Sequence, residues 1–181
     1  CPTNQTCVSG TCKKHPGLYI VENNVGNYDY VAIKNTTTAA MNVKGYVIEF
    51  DESGGATYDW SYTLTSKTVG AGKVLYLCES TACSGTTYEW MNLGTNIIFG
   101  AGSCGRVYLC NGACSKTTLI DAHVFDGCTT PDAPKYGVAF KPASTGLTVS
   151  NETTHSYVRQ AYKGFYPTFL KTDWTVGKMT K

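Results

Sequence analysis

From Gly17 onward the chain alternates short apolar runs with clusters of Gly, Asn, Asp, Ser and Thr. The runs are Leu18-Tyr19-Ile20-Val21, Tyr30-Val31-Ala32-Ile33, Gly45 to Phe50, Val74 to Cys78, Asn96 to Phe99 and Arg106 to Cys110. Thr118-Leu119-Ile120 follows and continues through Ala122 to Phe125, with later runs near Gly137–Phe140 and Ser156–Arg159. Within Gly45–Phe50, Tyr46, Ile48 and Phe50 share one face and Glu49 takes the other, the period of two that a half-buried strand shows. β-branched and aromatic residues dominate these runs, and thirteen tyrosines suit a pleated, half-exposed surface. No helix-length window holds a 3.6-residue apolar period. The class is all-β, and two packed sheets are the natural way to bury so many one-sided strands.

Residues 1–16 differ in texture. Cys1, Cys7 and Cys12, with Pro2, Gly10 and Pro16, enclose no apolar run, so this segment builds no core. It reads as a loop-rich N-terminal arm tied by one disulfide, set before a domain spanning residues 17–181. The full set of cysteines is Cys1, Cys7, Cys12, Cys78, Cys83, Cys104, Cys110, Cys114 and Cys128. No C-x-x-C pair occurs and His15, His123 and His155 are scattered, so zinc-ligand spacing is missing and no metal is expected. An oxidising compartment explains the cysteines, and a chain beginning at Cys1 is expected of a processed secretory precursor. Cys78 with Cys83, and Cys110 with Cys114 around Asn111-Gly112, are expected to clip short loops, each stabilising by about 2 kcal/mol. Cys104 and Cys128 flank the Arg106–Phe125 hairpin and are placed to join its ends. Nine is odd, so at least one sulfur must stay free, be modified or bond another chain.

The ordered series of segments resembles a known family. Leu18 to Asn23, then Tyr30 to Asn35 before a threonine-rich turn, look like the opening strands of the lamin-tail domain. Asn42-Val43-Lys44-Gly45-Tyr46-Val47-Ile48 is similar to its next signature, a Gly and an aromatic residue entering a strand. Tyr62-Thr63-Leu64 through Val69–Leu77 resembles its glycine-turn-strand step. Gly105–Leu109 with Thr118–Asp121 resembles its final hairpin, and Ser156–Arg159 with Asp173–Gly177 its closing elements. The likeness spans about residues 17–178 and implies an immunoglobulin-like two-sheet sandwich, before which the small disulfide-bonded arm is set. The cysteines, and insertions near Ser84–Trp90 and Cys128–Lys135, depart from nuclear members. They point to the extracellular branch, whose domains serve adhesion, display or assembly and lend no catalytic residues.

Gly100-Ala101-Gly102-Ser103-Cys104-Gly105 spells G-x-G-x-x-G, but a strand follows where a dinucleotide site needs a helix. Asp121 and His123 share a strand face with no nucleophile tied to them, so an outward polar pair, or a turn-stabilising Asp, is expected. Asp51-Glu52, Asp29, Asp59, Glu89 and Asp126 lack calcium-loop spacing. Trp60 and Trp174 are expected in packing, with Tyr62, Tyr88 and Tyr108 at the surface. Tyr88, Trp90 and Met91 form the candidate contact surface, because an apolar cluster on a loop marks binding more often than packing. Asn4, Asn35 and Asn151 head glycosylation sequons.

Net charge is +2 with 15% charged residues, and the lysines and arginines are dispersed in sequence, which argues against nucleic acid. No stretch reaches the length of a transmembrane segment. The expectation is a secreted or cell-surface protein without cofactor or catalytic site. Its expected partners are other copies of itself, with carbohydrate or a surface receptor as the alternative.

Overall fold

The computed structural model describes residues 5–8, 11–14, 17–24, 30–51, 60–79, 83–94, 105–125, 136, 154–159 and 174–180. Every regular element among them is a strand. The runs at 96–99 and 137–140, the glycine-rich stretch 100–104, the insertion 128–135, Asp29, Asp59 and Asp126 lie outside the described residues. So do Cys1, Cys104, Cys128, Asn4 and Asn151.

β1 (Gln5–Val8) and β2 (Thr11–Lys14) pair antiparallel as a two-stranded sheet of their own, with Cys7 opposite Cys12. The arm is therefore a hairpin rather than loops. Its apolar content is too low for the pattern to reveal it. β3 (Leu18–Asn24) and β4 (Tyr30–Asn35) open the main fold, joined by a bulge that inserts Val21 between Ile20 and Glu22. β5 (Met41–Asn42) leads into β6 (Tyr46–Asp51), which turns back as β7 (Trp60–Thr63). β8 (Thr68–Val69) pairs with β5, and β9 (Val74–Cys78) returns to lie against β4. β10 (Glu89–Asn92) joins β9 in parallel, β11 (Gly105–Asn111) and β12 (Leu119–Phe125) form a hairpin on β6, and β13 (His155–Arg159) and β14 (Trp174–Lys178) close.

Two large sheets result, ordered β10-β9-β4-β3-β13-β14 and β12-β11-β6-β7. Alternation decides which side chains meet. Leu18, Ile20, Val31, Ile33, Leu75 and Leu77 from the first sheet join Ile48, Phe50, Val107 and Leu109 from the second in one buried cluster. The opposite faces are covered as well. Tyr30, Ala32, Tyr76 and Cys78 are buried on the first sheet, and Val47, Tyr108, Cys110 and Ala122 on the second. Glu49, on the face opposite Tyr46, Ile48 and Phe50, is consequently buried beside Val47 and Asp51. An alternating strand reveals its two faces but not what covers the polar one.

Turn chemistry supports the register. Lys44 N donates to Asn42 Oδ1 (2.9 Å) and Tyr46 N to Val43 O (3.1 Å), with Gly45 at φ +86°. A positive φ at the third turn position suits glycine, which explains the Gly-aromatic entry into β6. Asn111-Gly112 does not form a two-residue hairpin turn. The connection runs over residues 112–118, and Asn111 N bonds Thr118 O across it (2.8 Å).

The two large sheets are also joined by charge. Asp121 on β12 and Arg159 on β13 pair at 2.6 Å, with both side chains 2% exposed. Asp121 Oδ2 accepts Ile20 N–H (2.9 Å), and Arg159 Nη1 donates to Ile20 O (3.0 Å). β13 matches β3 only at Glu22 and Asn23, so this pair serves Ile20 where that register stops. Asp121→Ala would leave a buried guanidinium and a buried N–H without their carboxylate. Urea unfolding is expected to show a loss of about 3–5 kcal/mol, and a loss below about 1 kcal/mol would remove the pair as the joint between the sheets.

Candidate functional site

The cysteines expected to clip loops do so. Cys78–Cys83 and Cys110–Cys114 are disulfides with Cα–Cα distances of 5.8 and 5.3 Å, inside the range that bridging requires. Cys12 is also disulfide-bonded. The first clip lies in the connection that carries the chain from β9 to the parallel strand β10.

That strand changes the meaning of the Tyr88-Trp90-Met91 cluster. Met91 is not at the surface: it points into the main core, 8% exposed. Trp90 pairs with Tyr76 across β9 and β10, and its indole N–H donates to Gly85 O (3.0 Å). Tyr88 sets its ring edge against Tyr76 at 5.0 Å and donates to Ser84 O (3.3 Å). Both remain half-buried, so the candidate surface shrinks to the flanks of two rings. Alternation along a strand, which a loop reading ignores, separates Met91 from Trp90. Tyr108 is buried outright, its ring edge-on to Tyr136 at 5.3 Å, and burial pushes its phenol pKa up to about 12. Trp174 and Trp60 pack as expected, Trp60 half-buried against Phe50 at 5.2 Å.

Three buried polar groupings hold the chemistry-bearing side chains. Between the large sheets, Asp121 and His123 face inward rather than outward, because Leu109 and Val107 opposite them are core residues. His123 stacks on Trp174 (3.6 Å between centroids, 16° between planes), meets Tyr157 edge-on and lies 3.5 Å from Asn23 Nδ2. Arg159 sits 5.2 Å over the same Trp174 ring. Burial first, and then the Arg159 charge, hold the His123 imidazole well below its ordinary pKa.

On the outer face of the first sheet, the Glu22 carboxylate accepts from Tyr30 OH (2.5 Å), Ser156 Oγ (2.5 Å), Thr180 N (3.1 Å) and Thr180 Oγ1. Tyr76 OH reaches Thr180 Oγ1 at 2.8 Å. Burial, followed by the Glu22 charge, raises the Tyr30 phenol above its ordinary range, so it donates rather than ionises. On the outer face of the second sheet, Arg106 and Asp51 lie 3.6 Å apart, and Tyr136 OH donates to Glu49. Each grouping ties a strand to a neighbour. Among the described residues, no set of three or more His, Cys, Asp or Glu side chains converges as a metal site would require, and no helix is long and apolar enough to cross a membrane.

Asn35 is the most heavily bonded polar side chain at the other end of the fold. It is fully buried, and its Nδ2 lies within reach of Ala39 O (2.8 Å), Val69 O (3.0 Å) and Gly70 O (3.1 Å). Its Oδ1 accepts from Thr37 N (2.9 Å) and Thr37 Oγ1 (2.8 Å), the self-bonded turn that an Asn followed by threonines favours. The same Asn-x-Thr letters that spell a sequon here spell a structural turn.

Compared with protein-family models and with curated proteins, the chain matches none.

Two outcomes follow from these groupings. Since Nδ2 is the atom a glycan would occupy, intact mass and peptide mapping are expected to find Asn35 unmodified. Asn35→Ala should destabilise the chain by about 1–3 kcal/mol or more, and a glycan on Asn35 of the folded protein would contradict this geometry. For His123, the unfolded imidazole takes a proton near pH 6.5 while the folded one resists it. Below that pH the unfolded state binds more protons, so stability is present above pH 6.5 and falls on acidification. Denaturation from pH 7.5 to 5 should show that loss, and a His123→Gln chain should show a flatter slope; equal slopes would exclude His123 as the source.

Proposed function

We propose that the chain is a non-enzymatic extracellular structural protein, an immunoglobulin-like sandwich of the lamin-tail type, which assembles with copies of itself into a surface fibre or matrix. One observation carries this reading. Among the described residues, the β1–β2 arm is paired with neither large sheet. An isolated two-stranded hairpin is marginal in water, and adding its strand to a neighbouring copy's sheet edge gives both edges hydrogen-bond partners.

The ends of the large sheets support that route. β7 reads Trp-Ser-Tyr-Thr, without charge or proline, whereas β10 carries Glu89, β14 carries Lys178 and β12 carries Asp121. Among the described residues β7 is thus the least guarded terminal strand, and its half-buried Trp60 and Tyr62 stack 5.7 Å apart. The disulfides favour an oxidising compartment. An odd number of cysteines allows one sulfur to make a contact between chains covalent. The non-enzymatic reading is supported by Asp121, His123, Glu22, Glu49, Asp51 and Arg106, all buried in contacts that join strands. The lamin-tail reading draws support from the Asn35–Thr37 turn and the Gly45 entry to β6, both at the positions where the resemblance puts them.

A second reading, a carbohydrate- or receptor-binding adhesion module, rests on the half-exposed flanks of Tyr88 and Trp90 beside strand β10. It commands less surface, because Met91 belongs to the core.

Sedimentation velocity at rising concentration, paired with non-reducing gels, tests assembly. The expected result is concentration-dependent oligomers, part of which survive denaturation until reductant is added. A monomer at every concentration, carrying one titratable thiol, would sink the proposal.

A further inference from the structure

The basic residues are dispersed in sequence but not in space. Lys34 lies one residue before the end of β4, Lys44 precedes β6, Lys67 precedes β8 and Lys73 precedes β9. The sheet registers bring these positions to one end of the fold. Lys34 pairs with Val74, Asn42 with Thr68, and Tyr46 with Asn111. The last pairing adds loop 112–118 and Lys116. Lys44, Lys73 and Lys116 are exposed, and Lys34 and Lys67 half-exposed.

No Asp or Glu occurs in the segments that build this end, residues 36–46, 64–74 and 111–118. Of the carboxylates on adjoining strands, Glu89 lies opposite Leu75 with Oε2 buried, and Asp121 is committed to Arg159 in the interior. The lysine-bearing backbone is also held still. Val43 N donates to Lys67 O (2.9 Å), Asn35 N to Lys73 O (2.9 Å), and Asn42 Nδ2 to Ser66 Oγ (3.0 Å).

We propose that this end binds a linear anionic polysaccharide bearing carboxylate or sulfate groups. Five ammonium groups on one end produce a local field that a net charge of +2 conceals. Exposed Thr36, Thr38, Thr65, Ser66, Thr68 and Thr117 surround them with hydroxyls that suit sugar hydroxyls. The loops 36–45, 64–73 and 112–118 contain no aromatic ring to stack on bases and no arginine for bidentate phosphate contacts, which disfavours nucleic acid. Backbone already ordered by hydrogen bonds loses less freedom when the polymer docks. The choice of a polysaccharide over other polyanions rests on the extracellular reading above.

Fluorescence anisotropy with labelled dextran sulfate and polygalacturonate tests the proposal on the intact chain. Binding is expected to weaken as salt screens the charges between about 50 and 300 mM. Lys44→Gln/Lys67→Gln/Lys73→Gln should weaken it at least about tenfold. The corresponding Lys→Arg chain, and Lys178→Gln at the far end of the fold, should bind as the parent does, with matched unfolding curves showing that all remain folded. No binding to either polymer at low salt, equal binding by the triple Gln chain, or equal weakening by Lys178→Gln would each overturn the site. Equal affinity for a single-stranded oligonucleotide of matched charge would overturn the choice of polymer. Sedimentation in the same buffer keeps the readings apart: specific binding by a monomer supports this site while removing self-assembly.

Discussion

The fold depends on a buried ion pair that does the work of a missing strand. Where the register of β13 on β3 stops, the peptide groups of Ile20 are met by Asp121 and Arg159, one from each large sheet. Two ions taken out of water are costly, and their attraction offsets that cost only with close geometry and further hydrogen bonds. The Ile20 backbone supplies such partners here, and the Trp174 ring under Arg159 adds a further favourable contact. The pair therefore fixes where β12 lies relative to β3. A purely apolar interface would fix that registry less sharply, because leucines slide past one another more easily than an ion pair exchanges partners.

The consequence reaches His123. Two residues beyond Asp121 on the same strand face, it must enter the same interior, where Trp174 and Tyr157 fill the space around it. A protonated imidazole beside the Arg159 cation would weaken the joint that placed it there. Burial and that charge act in the same direction, so the ring packs as the neutral imidazole.

The sequence made the strands legible wherever alternation was long enough, as in β3, β4, β6, β9, β11 and β12. It also identified both short-loop disulfides, since four- and five-residue separations leave few other partners. What it hid has a common cause. Alternation assigns a residue to one of two faces, but the fate of a face depends on segments distant in sequence. Tyr108 is therefore expected at the surface, and Asp121 and His123 on an outward face, although each is covered. β1, β2, β5, β8 and β10 are too short or too polar to display a period. Met91 enters the core because the segment around it is a strand, which its four residues are too few to display as a period.

Asn35 and the lysines show the same limit in opposite directions. A local motif overstated Asn35, because Asn-x-Thr has two physical meanings and only burial separates a glycan acceptor from an Asn-capped turn. Local dispersion understated the lysines, because strand pairing gathers loops that sequence keeps far apart. The two findings meet at one end of the molecule. By binding the carbonyls of Val69 and Gly70, the Asn35 side chain holds the loop that leads to Lys73 against the end of β4. A residue unsuited to carry a sugar chain thus helps to keep in place the charges that would hold one.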